Sequence, residues 1–492
     1  MIDINDERAV RISKLEVLKH AGRDPYPARL IIDRTHTVSE ALLESEDTKV
    51  SIAGRLFLKR DMGNLMFVQL RDESGQMQIV LKKGDLEEQS FKEFSKLVDV
   101  GDIIIISGLR FVTQKGEQSV LVNEWALLTK ALRPLPDKHK GLADEETRLR
   151  KRYLDLLTDT DLNYLFRRKA IFWQSMRMFL MEEDFLEVET PVLENTAGGA
   201  DAEPFVTHHN ALDLDVYLRI SMGELWQKRL MVAGFEKTFE IGRQFRNEGM
   251  SREHLQDYTQ MEFYWAYADY EKSMELVERM YKFVIEKTFS TLTFDIGEFT
   301  DIDLSAPWQH IDYVSTIEEK TSVNVLTASE KEIQRALTDL HIAFDPSDTR
   351  GRLMDSLWKY CRKSVKGPVF LINLPVAVSP LAKRKQDNRE LTERYQIIIA
   401  GSELGNGYSE LNDPIDQAER FQEQAKMREA GDSEAQMYDT DFVEALEHGM
   451  PPTTGFGVSE RLFSFLANRP IRECVLFPLM KPIEKETCNK ET

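Results

Sequence analysis

Residues 239–270 read FEIGRQFRNEGMSREHLQDYTQMEFYWAYADY. Two segments of alternating character flank a polar loop, which predicts a strand, a loop and a second strand. On the first strand Glu240, Gly242, Gln244, Arg246 and Glu248 fall on one face, while Phe239, Ile241 and Phe245 fall on the other. On the second strand Tyr258, Glu262 and Tyr264 share a face. That face is too polar and too aromatic for plain core, and too mixed in charge for a simple solvated surface. It is read as a binding surface.

Outward from this hairpin, the chain has the composition of a globular protein. Of 492 residues, 42% are hydrophobic and 30% charged, enough for a sizeable core in two to four domains. The formal charge of −20 argues against wholesale electrostatic binding of nucleic acid but leaves room for a local basic groove. Cys361, Cys474 and Cys488 are too far apart for a disulfide framework or a zinc spacing, so a reducing compartment is expected. Apolar runs are strand-sized, and no signal region opens the chain. The expectation is a soluble cytoplasmic protein with no membrane contact.

Residues 1–45 read as a helical extension with a connector. From residue 46 to 130 the texture is that of short strands: 50–59, 65–71, 77–82, 102–112 and 118–128, with a helix at 86–97 between the third and fourth. Five strands with a helix in that place match the OB-fold, although any small five-stranded barrel would look similar. Residues 131–160 form a charged, Pro-bearing linker. A long helix at 161–183 opens the remainder, 161–492. Strands are expected at 185–193, 216–220, 238–246, 369–374 and within 394–411, and a strand running into a helix at 455–468. Residues 304–367 read as a helical insertion. The fold class is therefore α+β: an N-terminal OB-fold barrel followed by an antiparallel sheet flanked by helices.

Several chemistries are absent. There is no Walker-type phosphate loop, no G-x-G-x-x-G fingerprint and no H-E-x-x-H; Gly455 and Gly457 lack a third glycine. His208 and His209 have no second cluster nearby and read better as a hydrogen-bonded loop pair than as metal ligands. A nucleotide, if handled, must be held by side chains on strands.

RQFRNEGMS with the following TQMEFYWAYADY resembles motif 2 of the class II aminoacyl-tRNA synthetases; FLEVETPVL resembles motif 1 and GFGVSERLFSFL motif 3. RKRYLDLL (150–157), ETPVLENTAGGADAEPFVTHHNALDLDVYLRI (189–220), GNGYSELNDP (405–414) and ALEHGMPPTTGFG (445–457) are similar to the lysyl branch of that class. The resemblance implies activation of L-lysine by ATP and transfer to tRNA(Lys) by a homodimer with motif 1 at its interface. It implies that Arg246 bridges carboxylate and α-phosphate, a role its planar fork suits, and that Arg461 meets the γ-phosphate. Arg246 could otherwise pair with Glu248 or Glu262. Ser459 could cap the helix that carries Arg461.

The resemblance further implies that Glu248, His254 and Tyr258 hold ATP, with Tyr258 stacked on adenine. It implies Glu224 on the α-amino group, Glu410 and Tyr264 on the ε-ammonium, and Gly199, Asn406 and Tyr408 around them. Of the family's two Mg²⁺-binding Glu positions, one is Glu403 and the other is Gln396, a weaker ligand. Strand parity puts Glu403 off the face of Asn406 and Glu410, so one shared site needs a bulge. Compared with the family, motif 3 is one residue shorter, and the stretch from Ile220 to Glu224 is one residue longer. In the barrel, Phe67, Gln78 and Glu124, with Arg60 beside them, fall at anticodon-reading positions.

Overall fold

Alternating burial in the first third of the chain closes a barrel. In the computed structural model, which describes residues 4–136, 142, 144–432 and 434–483, the chain forms two compact units, Met1–Thr158 and Asp159–Thr492. The first unit contains β1 (Lys49–Asp61), β2 (Leu65–Arg71), β3 (Gln76–Lys82), β4 (Ile103–Val112) and β5 (Gln118–Thr129). These strands close in the order β1-β2-β3-β5-β4, with β3 and β5 parallel. Along β2 the buried residues Met66, Val68 and Leu70 alternate with half-buried ones on the outer face. The helix Glu88–Leu97, between the third and fourth strands, carries Phe91 and Phe94 into the core, where Phe94 meets Trp125 edge-on at 5.0 Å. This is the OB arrangement. Residues 137–141 and 143 of the expected linker, and Cys488, lie outside the described residues.

The second unit opens with the helix Thr160–Glu182, whose first turn is capped by Asp159. The strands that follow are β6 (Leu186–Glu187), β7 (Leu193–Glu194), β8 (Val206–His209), β9 (Leu214–Leu218), β10 (Lys237–Phe245), β11 (Asp257–Ala266), β12 (Thr293–Ile296), β13 (Phe299–Asp303), β14 (Gln309–Asp312), β15 (Val369–Ile372), β16 (Arg394–Ile399), β17 (Ser402–Ser409) and β18 (Thr453–Ser459). Eight of them make one sheet, in the order β14-β15-β16-β17-β18-β11-β10-β6. One face packs on the helix Tyr270–Phe289: Ser273 meets the Tyr395 hydroxyl at 2.7 Å, and Tyr281 donates to the Leu404 carbonyl at 2.5 Å. The other face of its central strands carries the polar residues.

Three local expectations need correction. Residues 185–193 are not one strand. Leu186–Glu187 pair with β10, whereas Leu193–Glu194 pair with β9 in a separate small sheet. Between them Pro191 has no N–H to donate, and the Thr190 N–H and hydroxyl are taken by Glu240 Oε2 at 3.1 and 2.6 Å. The stretch from 304 opens with β14, which joins the main sheet parallel to β15; helices follow at Tyr313–Thr321, Glu330–Asp339 and Arg350–Cys361. Ser459 is not the N-cap of the last helix. That position is Glu460, Arg461 is the first helical residue, and Ser459 Oγ accepts from the Arg461 N–H at 3.3 Å.

Candidate active site

The hairpin positions the site through its register. Glu240 pairs with Glu262, Gln244 with Tyr258 and Thr238 with Tyr264, so these side chains share a face. β18 then brings Gly455 opposite Tyr264 and Gly457 opposite Glu262, and β17 brings Tyr408 opposite Gly455 and Asn406 opposite Gly457. A cavity of about 320 Å³ opens over this face. Its wall includes Gly199, Glu224, Arg246, His254, Tyr258, Tyr264, Glu403, Asn406, Tyr408, Glu410 and Arg461. Glu248 and Gln396 are not on that wall.

At one end the lining is buried and carboxylate-rich. Glu224 opens the helix Glu224–Val232, and its Oε1 accepts from the Lys228 ammonium at 2.8 Å and from the Tyr408 hydroxyl. The same ammonium forms an ion pair with Glu410 Oε2 at 2.5 Å. Glu262 accepts from the Met222 N–H at 3.1 Å, the Gln260 amide at 2.6 Å and the Tyr264 hydroxyl at 3.1 Å. Lys228 is 1% exposed. The rings of Tyr264, Tyr408 and Phe442 lie within 6 Å of its ammonium.

Burial opposes charge throughout this cluster. It pushes the Glu262 carboxyl up to about 7, with the Glu224 charge adding to the effect. Burial also holds the Glu410 carboxyl well above the carboxylate range, although Lys228 pulls the other way. For Lys228 itself burial disfavours the ammonium, but Glu224 and Glu410 more than offset this, and its pKa is raised. Two glycines make the room. A Cβ on Gly455 would stand 2.2 Å from Glu410 Oε1 and 2.6 Å from the Tyr264 ring. Gly199, at φ +88°, lies so close to Ser221 and Glu224 that a Cβ would come within 2.6 and 2.9 Å of them.

The other end is built from loop residues and arginines. Arg246, just past β10, is fixed by its backbone N–H to Gln256 at 2.8 Å; its guanidinium donates to the Ile220 carbonyl at 3.4 Å and lies 5.8 Å from the Tyr258 ring centroid. It makes no ion pair with Glu248 or Glu262 among the described residues. Glu248 is half-buried beside it, and burial raises its carboxyl pKa against the pull of Arg246. His254 shares a hydrogen bond with Ser251 at 2.7 Å. Burial, then the Arg461 charge, lowers its pKa and favours the neutral ring. Arg461 is held in a close ion pair with Glu253, and its Nε is buried without a partner.

Glu403 reaches the cavity through a register shift. Gln396 pairs with Asn406, but Ile398 pairs with Glu403, so β17 spends one extra residue there. That bulge puts Glu403 on the face of Asn406, Tyr408 and Glu410. Gln396 is buried and its Oε1 has no hydrogen-bond partner.

Sequence reading missed three contributors. Lys228 sits four residues after Glu224, the spacing of a surface helix pair, so nothing local distinguishes it from one. Arg394, opposite Tyr408, donates to Asn406 Oδ1 at 2.9 Å and orients it. Gly455 was visible as a strand glycine, a sign of close approach, but not what approaches it.

In the first unit Arg60 pairs with Phe67, and Gln69 with Gln78, so Arg60, Phe67 and Gln78 lie on one outer barrel face. Gln78 donates to Ser119 Oγ at 2.9 Å. Glu124 is exposed on β5, beside the register shift that lets Trp125 point inward. Among the described residues no helix is long and apolar enough to cross a membrane, and no group of three His, Cys, Asp or Glu side chains could hold a metal ion by itself.

Residues 144–481 match the family described as tRNA synthetases class II (D, K and N), and residues 50–128 match the OB-fold nucleic acid binding domain. Similar proteins include the lysine–tRNA ligase of Roseiflexus castenholzii, 43% identical over 98% of this chain and 100% of that protein. The lysine–tRNA ligase of Thermosipho africanus is 40% identical over 99% of both chains. That of Clostridium novyi is 43% identical over 96% of this chain and 94% of that one. With both matches in chain order and relatives covered from end to end, the chain belongs to the class II aminoacyl-tRNA synthetases, within the family of the lysine–tRNA ligases.

Proposed function

We propose that this enzyme activates L-lysine with ATP and transfers it to the 3′ end of tRNA(Lys). The observation that carries the choice of lysine is the charge count at the buried end of the cavity. Three carboxylates, Glu224, Glu262 and Glu410, line that end, and one internal ammonium, Lys228, pairs with Glu224 and Glu410. The deficit of two matches the two ammonium groups of lysine. A side-chain carboxylate or amide would leave these groups unpaired in a buried site. Glu224 takes the α-amino group. Glu410 takes the ε-ammonium, with Tyr264 beside it.

The lysine carboxylate then points toward Arg246. One of its oxygens attacks the α-phosphorus of ATP; the bond from that phosphorus to the bridging oxygen breaks, and pyrophosphate leaves. Arg246 bridges both anions and stabilises the charge that develops between them. Arg461 meets the γ-phosphate, Glu248 and His254 bind ATP from the motif 2 loop, and Tyr258 stacks on the adenine ring. In the second step a 3′-terminal hydroxyl of tRNA attacks the carbonyl carbon, and AMP leaves. Glu403, with the free Oε1 of Gln396 on the facing strand, fits an ion that takes its other ligands from phosphate and water. Mg²⁺ bound there would offset phosphate charge.

Arg60, Phe67, Gln78 and Glu124 are the proposed anticodon contacts, in a domain over residues 46–130, with 161–492 as the catalytic domain. The homodimer reading is supported by an exposed apolar stripe on the helix Thr160–Glu182: Tyr164, Ile171 and Met178 at heptad spacing, with Leu186 and Leu193 of motif 1 also exposed. A cytoplasmic location is supported by the free thiols Cys361 and Cys474. The test is ATP–pyrophosphate exchange by the purified protein: lysine should drive it, and exchange driven by aspartate or asparagine but not lysine would reject the assignment.

A further inference from the structure

A second cavity, of about 630 Å³, adjoins the first and shares Glu253 and Arg461 with it. Its wall is basic, with Arg252, Lys359, Arg362, Lys363 and Arg469 in addition to Arg461, against two carboxylates, Glu253 and Glu298. In a chain of net charge −20 such a wall is unexpected. Part of it is neutralised locally: Lys359 pairs with Asp355 at 2.7 Å, Arg469 with Glu473 at 3.3 Å and Arg461 with Glu253. Arg252, Arg362 and Lys363 meet no carboxylate among the described residues; Arg252 reaches only the Asn468 amide oxygen, at 3.4 Å. Moreover, Arg362 Nη1 and Arg461 Nε are buried and donate to nothing. A buried guanidinium nitrogen without an acceptor is costly.

We propose that this cavity is a subsite for condensed phosphate, which receives pyrophosphate as it leaves the reaction site past Arg461. The inference rests on the reading that places the triphosphate at Arg461. The cations fit a compact polyanion: three uncompensated charges converge on a concave space, and guanidinium groups match phosphate oxygens in pairs. A concave chamber that continues the nucleotide end favours a small anion over an RNA backbone. Glu253 stands at the boundary on Arg461, where its carboxylate occupies the arginine that the phosphate would take.

The test compares the wild type with Arg362→Gln, Lys363→Gln and the double variant; Lys363 is exposed, so its replacement does not threaten folding. Lysine-dependent exchange is measured against pyrophosphate concentration, and inorganic pyrophosphate is titrated calorimetrically into the free protein. The expected result is a roughly tenfold rise in KM for pyrophosphate and a matching loss of affinity in the double variant, less marked at high salt. KM for ATP and for lysine should stay within about twofold. Unchanged pyrophosphate constants in all three variants would overturn the subsite. Unchanged pyrophosphate constants with a raised KM for tRNA in charging would also overturn it and assign the wall to RNA phosphates. Wild-type protein without lysine-dependent exchange would instead reject the parent reading, and the calorimetric arm would still decide whether the cavity binds pyrophosphate.

Discussion

The two ends of the catalytic cavity are built on different principles. The carboxylate end is buried, hangs on strands and one helix, and already holds a cation of its own in Lys228. The arginine end is more open and stands on the loop between β10 and β11, and one of its two key cations is held by a substitute anion, Glu253. Selection among amino acids is thus assigned to rigid, desolvated groups, where an unmatched charge is expensive. Nucleotide binding is assigned to groups that must exchange partners when phosphate arrives.

The largest effect that bears on this contrast is expected at Arg246, the cation of the arginine end that meets the lysine carboxylate. Arg246→Ala should lower kcat for exchange by two to three orders of magnitude, as for loss of a single donor to developing charge, with little change in KM for lysine; near wild-type exchange would remove its role. Next comes Lys228→Met, which leaves Glu224 and Glu410 without their counter-ion. Its KM for lysine should rise roughly ten- to hundredfold, the scale of a lost hydrogen bond to a charged group, while KM for ATP moves less than about threefold. Restoration by Lys228→Arg would support the charge role. An equal rise in both constants would mean that Lys228 only holds the fold. The smallest effect belongs to the arginine end. Glu253→Gln should free Arg461 and lower KM for ATP by up to about fivefold, the scale of a partly exposed ion pair; a raised KM for ATP would show that Glu253 assists the nucleotide instead.

The same contrast explains what was legible in the sequence. The hairpin was readable because its two strands alternate strictly, and alternation fixes which side chains share a face. Glu224, Tyr264 and Glu410 were assigned together, although they lie on a helix, on β11 and just past β17, because separate motifs carried each. What remained hidden depends on register or on partners. Strand parity called for a bulge near Glu403, but its exact place leaves no residue signature within GSELGNG. Lys228 looks like a surface helix lysine until the sheet closes over it. Nothing in 185–193 shows that its two halves pair in different sheets, on either side of Pro191. The extent of the helix at Arg461 was misread by one residue, since Glu460 is drawn into an ion pair with Lys169 rather than Ser459 serving as cap.

The central claim is that the carboxylate end is assembled before ATP arrives and is matched to a dication. In the free protein, burial pushes the Glu262 carboxyl up to about 7 and raises that of Glu410 against the pull of Lys228. An ammonium beside them lowers both pKa values, so lysine binding must expel protons, and affinity must rise with pH through neutrality. Calorimetric titration of lysine alone at pH 7, in two buffers of different ionisation enthalpy, reads this directly. The account predicts binding without nucleotide, with net proton release. No binding until ATP is added, or binding with proton uptake, would contradict it.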